Sequence, residues 1–230
     1  MRIFSNLFIS RKDKERCSAT LIKWNTFYQE LTKEEQIKFV KRTFQFIGDS
    51  DFITEGNKQL SLEVKTIISG AFIQMTFGLK RFLLSQYNTI FVAPRAYSYK
   101  HTEDVYHGDV NTKSKRVTLS WPKVKEGFAI PDDAINLCIH ELGHCLYIEQ
   151  TERGRFFSDA AWKQWHLLAL PIMRKLKSHK SNSLRSYGGN NELEFFSVSL
   201  ETYFENPKGL EKEYPIYFKF LQKLLNLELP

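Results

Sequence analysis

Cysteine is scarce in this chain: Cys17, Cys138 and Cys145 are the only three among 230 residues. So few thiols make no disulfide framework, which excludes a small cross-linked secreted module. Cys138 and Cys145 fall on one expected helix, where a rise of about 1.5 Å per residue sets their Cα atoms about 10 Å apart, too far to bridge. The expected setting is therefore reducing and cytoplasmic. Long apolar runs are missing as well. The longest uncharged stretch, Thr66–Leu79, contains Ser69, Gly70, Gln74 and Thr76 and falls short of the ~20 residues a membrane-spanning helix needs. It reads as a buried core helix. The amino terminus is broken by Ser5 and Asn6 and runs into the charged stretch Arg11–Arg16, without the apolar core or cleavage site of a signal peptide. No internal repeat and no long Pro/Gly/Ser linker divides the chain.

What is present is ample material for a core. Hydrophobic residues make up 42% and aromatics 14%, with 19 Phe, which excludes disordered and low-complexity classes. Lys and Arg outnumber Asp and Glu by 33 to 26, a net charge of +7. Such an excess raises nucleic acid or an anionic membrane as a partner. No helix-turn-helix, zinc-finger spacing or RNA-binding aromatic motif accompanies it, so neither partner is expected. The excess is prominent at Arg174–Arg185 and reads as a solvated basic face, with steering of an acidic substrate as its alternative use.

Periodicity and punctuation give a coarse layout. Thr32 and Glu35 form a capping box ahead of Ile37, Val40, Phe44 and Ile47, with Gly48 as the stop. A second helix is expected from Ser61 to about Phe77. Thr89–Ala93, closed by Pro94, reads as a buried strand, Arg95–Ser114 as a long polar loop, and Val117–Trp121 as a half-buried strand. A helix is expected from Pro131–Asp133 to about Gln150, and another from Ser158, interrupted or bent at Pro171. A turn at Tyr187–Asn190, a helix from Asn191 to Glu205 and a final helix complete the chain. Helices around a small sheet predict an α+β fold. The expected organisation is one domain over 1–230, with a mostly helical scaffold portion (1–85) and a catalytic portion (86–230).

The informative segment is His140-Glu141-Leu142-Gly143-His144. Positions four apart share a helix face, so both imidazoles can reach one ion. Zinc accepts neutral imidazole nitrogen and, in catalytic sites, keeps one position open for water. Glu141, one residue from His140, is placed to take a proton from that water. No second His follows within ten residues of His144, so the third ligand is sought among acidic residues. Glu149 and Glu152 are too near in the chain to converge from another direction. The helix Asn191–Glu205 is better placed, and spacing alone leaves Glu192 and Glu194 both open. Glu201, two turns beyond Glu194, is open to orienting a His ligand or to a plain solvated or capping role. Phe195, Phe196, Val198, Leu200 and Phe204 read mostly as core, with a substrate pocket as the alternative, Trp162 and Trp165 read as packing, and Cys138 and Cys145 as inert thiols.

At these residues the sequence resembles the Mlc titration factor A family of metallopeptidases. That family's pattern is an H-E-φ-A-H helix, a Tyr before a short turn, then an E-F-F-A-V-x-S-E-x-F-F-x-x-P block. Here Tyr187 leads into Glu194-Phe-Phe-Ser-Val-Ser-Leu-Glu201-Thr-Tyr-Phe-Glu-Asn-Pro207, and Tyr214-Pro-Ile-Tyr-Phe218 continues the match. Leu119–Trp121, Asn136–His140 and Gln74–Leu79 also look like the family, so the likeness runs from about residue 35 onward. The resemblance implies a zincin-like domain and a Zn2+-dependent peptidase, aminopeptidase-like, acting on a peptide or protein substrate. His140, His144 and Glu194 map onto the metal ligands, Glu141 onto the catalytic base and Tyr187 onto a characteristic Tyr, here a candidate for holding the oxyanion. His107 is the nearest match to a further His at the metal, though a surface-loop role is favoured. The resemblance also implies a different function, binding and sequestering a transcriptional repressor, with a regulator protein as partner. Gly143 replaces the usual Ala, and Tyr147 stands where many members carry Asp, which removes a carboxylate that would orient a ligand. The strand Arg116–Trp121 is a candidate sheet edge for pairing with an extended peptide.

Overall fold

The computed structural model describes residues 9–99, 103–178 and 181–229. Most of the amino-terminal stretch examined for a signal peptide, and two residues of the basic stretch, lie outside that set. Among the described residues the fold is α+β: ten α-helices enclose one four-stranded mixed sheet. The helices are α1 (Arg11–Trp24), α2 (Thr26–Glu30), α3 (Lys33–Asp49), α4 (Leu62–Thr76), α5 (Trp121–Ala129), α6 (Leu137–Arg153), α7 (Asp159–Ser178), α8 (Glu192–Glu205), α9 (Pro207–Glu213) and α10 (Pro215–Leu225). The strands are β1 (Asp51–Thr54), β2 (Thr89–Ala93), β3 (Gly108–Asn111) and β4 (Arg116–Ser120), ordered β1-β2-β4-β3. β1, β2 and β4 run parallel, and β3 is antiparallel to β4 at the edge. No described helix is long and apolar enough to cross a membrane.

The capping box at Thr32 and Glu35 is formed, and α3 follows it. Ser61 caps α4, whose residues Thr66–Thr76 are all buried, so the uncharged stretch becomes the central helix of the core. Several expectations give way. β4 is not half-buried, because Thr118 and Ser120 are as buried as Val117 and Leu119, so both of its faces are covered. Nor is β4 an edge, since β2 and β3 flank it, and Trp121 belongs to the next helix. Within the expected loop Arg95–Ser114 lies β3 itself. α6 begins at Leu137, not Pro131. Ala134 takes a left-handed φ of 57°, Asp133 accepts from the Ile135 amide at 2.9 Å, and Asn136 then caps the helix by accepting from Cys138 and Ile139. α7 runs through Pro171 without a break.

The C-terminal half of α6 is tied to the approach to β2. Glu149 is fully buried and accepts from the amides of Ser85 at 2.8 Å and Gln86 at 2.7 Å and from the Ser85 hydroxyl at 2.9 Å. A buried carboxylate surrounded by donors is stable where it is, which accounts for this glutamate without any metal. α6 lies between the sheet and α8.

Candidate metal centre

α6 and α8 bring the central residues together. On α6, His140 and His144 are one turn apart, with ring centroids 4.5 Å from each other. Asn191 caps α8 by accepting from the Glu194 amide at 2.9 Å, which sets Glu194 in the first turn, where the helix dipole favours a negative charge. Its Oε2 lies 3.0 Å from His140 Nε2 and 3.5 Å from His144 Nε2. One ligand atom from each of the three falls within 4.8 Å of the others, and they are the one such group among the described residues. Two imidazole nitrogens and a carboxylate are donors that suit zinc.

The far nitrogen of each ring, Nδ1, is held by another partner, which leaves both Nε2 atoms turned toward Glu194. His140 Nδ1 lies 2.9 Å from Glu201 Oε2. Glu201 is buried and also accepts from Arg185 and, at 2.9 Å, from the Asn136 amide. A carboxylate can only accept, so His140 Nδ1 carries a hydrogen. Of the roles open to Glu201, a plain solvated one does not match its burial and its hydrogen bond to the His140 ring. Arg185, the last residue of the basic stretch, is drawn in as its counter-ion and is not simply part of a solvated face. His144 Nδ1 lies 2.9 Å from the Ser197 hydroxyl.

Charge in the centre is strongly perturbed. Burial disfavours a charge on His140, but hydrogen bonds to Glu194 and Glu201 outweigh it and raise its pKa to about 10. His144 goes the other way, to about 4, through burial and the charge of His140, with Glu194 and the Leu193 carbonyl opposing. Burial pushes Glu141 up to about 8, with the His140 charge opposing and Asp109 adding to the rise. Burial likewise works against ionisation of Glu194, but its His140 hydrogen bond and the two histidine charges hold it below the usual carboxylate range. A glutamate poised near neutrality is suited to proton transfer, while one held ionised beside histidines is suited to a ligand role.

β3 roofs the centre. Gly108 passes so close that a Cβ there would stand 2.6 Å from Glu141 Oε1. Asp109, bound by the Tyr97 hydroxyl, contributes to the field at Glu141. Tyr187 is half-exposed; its hydroxyl reaches Glu194 Oε1 at 3.3 Å and its ring lies 5.9 Å from His140. His107 is exposed and stands outside the three-residue group. Glu192 is engaged elsewhere, with Tyr147 at 3.0 Å and His166 at 3.1 Å. Tyr147 otherwise packs against Trp162, Trp165 and Phe196. The core readings of Phe195, Phe196, Val198 and Leu200 match their burial, and Phe204 is half-buried.

Sequence reasoning passed over Ser197, Arg185, Asp109 and Gly108. Ser197 had a usable signal, lying one turn after Glu194 and one before Glu201 on the same helix face. Asp109 and Gly108 had none, because their roles depend on a strand that only pairing with β4 creates.

Over 220 residues the chain is 22% identical to an uncharacterized protein of Synechocystis sp., covering 88% of this chain and 80% of the relative. Over 132 residues it is 24% identical to the Mlc titration factor A of Pectobacterium atrosepticum, covering 54% of this chain and 49% of that protein. The model of the glucose-regulated metallo-peptidase M90 family matches residues 8–225, nearly the whole chain, and the protein belongs to that family.

Proposed function

We propose that this protein is a zinc-dependent peptidase in which His140, His144 and Glu194 hold the metal and Glu141 is the general base. The observation that carries the reading is the convergence of both Nε2 atoms on one Glu194 oxygen, with both Nδ1 atoms already committed to other partners. Zinc bound there supplies a Lewis acid for the scissile carbonyl and lowers the pKa of water. Glu141 accepts the proton of the attacking water and returns it to the leaving amine. Tyr187, half-exposed beside Glu194, donates its hydroxyl to the developing oxyanion. Asp109 raises the proton affinity of Glu141, and Glu201 with Arg185 keeps the His140 ring in place.

The substrate is a peptide or protein segment that lies extended along β3. β3 pairs with β4 alone among the described residues, and its Gly108 passes directly over Glu141. That edge takes the place of Arg116–Trp121 as the pairing strand. The aminopeptidase-like preference is tested by comparing peptides with free and N-acetylated amino termini. The decisive experiment joins metal analysis to a peptide-library cleavage assay, with wild type set against Glu141→Gln. The variant is expected to keep its zinc and lose hydrolysis, and a fully active variant overturns the assignment.

A second reading is supported by the relative named Mlc titration factor A. In it, the chain binds a transcriptional regulator protein and hydrolysis is secondary. Glu141→Gln separates the two: a biological effect that survives in this variant belongs to binding.

A further inference from the structure

We propose that Ser197 is a positioning residue of the metal centre: seated where Gly143 lacks a side chain, its hydroxyl fixes the tautomer and ring plane that aim His144 Nε2 at Glu194. The inference rests on the metal reading of the site given above.

The argument is one of hydrogen counting. Ser197 is fully buried, and its hydroxyl has two neighbours, the His140 carbonyl at 2.8 Å and His144 Nδ1 at 2.9 Å. A carbonyl oxygen has no hydrogen to offer, so the single hydroxyl hydrogen goes to His140. Toward His144 the hydroxyl is then an acceptor, and Nδ1 must carry the hydrogen. That leaves the lone pair on Nε2, which lies 3.5 Å from Glu194 Oε2. One hydroxyl thus ties both histidines together, through the backbone of one and the ring of the other.

The space for this contact comes from α6. A Cβ on Gly143 would stand 2.9 Å from the Ser197 oxygen and 3.4 Å from its Cα. A methyl group there would displace the hydroxyl or push α8 away. Glycine inside a helix carries a conformational cost relative to alanine. Here it permits the close approach that puts a donor–acceptor between the two ligand-bearing turns. Groups that hold the far nitrogen of a metal-binding histidine typically change metal affinity 10–100-fold when removed.

The test combines nitrogen-15 NMR of the histidine rings in the metal-free protein near pH 7 with zinc titration of four proteins: wild type, Ser197→Ala, Gly143→Ala and the double variant. In the wild type His144 is expected to carry its hydrogen on Nδ1. Ser197→Ala is expected to weaken zinc binding about tenfold or more while melting close to the wild type. Gly143→Ala is expected to weaken it at least as much, and the double variant no more than Ser197→Ala, because the added methyl fills the space the hydroxyl leaves. A His144 hydrogen on Nε2 in the wild type overturns the proposal whether or not Ser197→Ala folds. So does unchanged zinc affinity in Ser197→Ala, which would leave the Leu193 carbonyl as sufficient support for the ring. A wild type that takes up no zinc overturns the metal reading itself and the positioning role with it, even with the hydrogen on Nδ1.

Discussion

His140 and His144 sit one turn apart on the same helix, yet their surroundings drive their proton affinities in opposite directions. Against the cost of burial, His140 is raised to about 10 by its bonds to Glu194 and Glu201, while His144 is lowered to about 4 by burial and by the charge of His140. Glu194 lies between the two rings, and removing it should cost more than removing its neighbour two residues earlier. Glu194→Ala is expected to abolish stoichiometric zinc binding, whereas Glu192→Ala should retain it, since the Glu192 carboxylate is engaged with Tyr147 and His166. Atomic absorption on dialysed protein distinguishes the two, and zinc retained by Glu194→Ala would remove it from the ligand set. Tyr187→Phe should bind zinc normally and lose about 10²–10³-fold in turnover if its hydroxyl serves the oxyanion. Steady-state kinetics on a cleaved library peptide provides the check, with the loss expected in kcat more than in KM.

At the scale of elements, the helix bearing the histidines was legible because ligand spacing is a local property: His at i and i+4 needs no knowledge of the rest of the fold. Its beginning was not. Pro131–Asp133 has the composition of a helix start, but Ala134 turns left-handed and the real cap is Asn136, which also donates to Glu205 at 2.9 Å. β3 was invisible for a related reason. Gly-Asp-Val-Asn has little strand propensity of its own and is extended because β4 supplies a partner. α5 begins on Trp121 and Pro122, where the alternating pattern of the preceding strand masked the change to a helix. Gly108→Ala tests how closely β3 must lie on α6. A Cβ 2.6 Å from Glu141 Oε1 forces the strand or the base to move, and a loss of at least tenfold in kcat with zinc content unchanged is expected. Glu149→Ala tests the other end of α6. It takes the shared acceptor away from the part-buried Ser85 and Gln86 amides, and about 1–3 kcal/mol of unfolding free energy should disappear in urea denaturation.

Across the whole molecule, α+β character followed from element types in the sequence, but the sheet order and the identity of its edge did not, because strand pairing joins residues far apart in the chain. The acidic end of α8 gives a global pH signature. Burial raises Glu205 from 4.5 to about 8, against the hydrogen bond from Asn136. The unfolded chain ionises this group from about pH 4.5 and the folded chain only near pH 8, so its contribution to stability falls as pH rises through that window and levels off above it. Glu205→Gln has no such charge to bury. Its melting temperature relative to wild type should rise steadily from pH 5 to pH 8, and a difference that does not change with pH would refute the account.

The three thiols noted at the outset have a practical consequence. Cys17, Cys138 and Cys145 are all buried, and burial raises the pKa of each above the ordinary thiol value. They are spread between α1 and the very helix that bears the histidines, protonated and shielded from reagent. The protein thus carries an internal clock for its own opening: alkylation can proceed only as fast as the core admits solvent. Chelator-treated and zinc-loaded samples, labelled side by side, would reveal how far the ion clamps α6 in place, residue by residue, without any substrate being known.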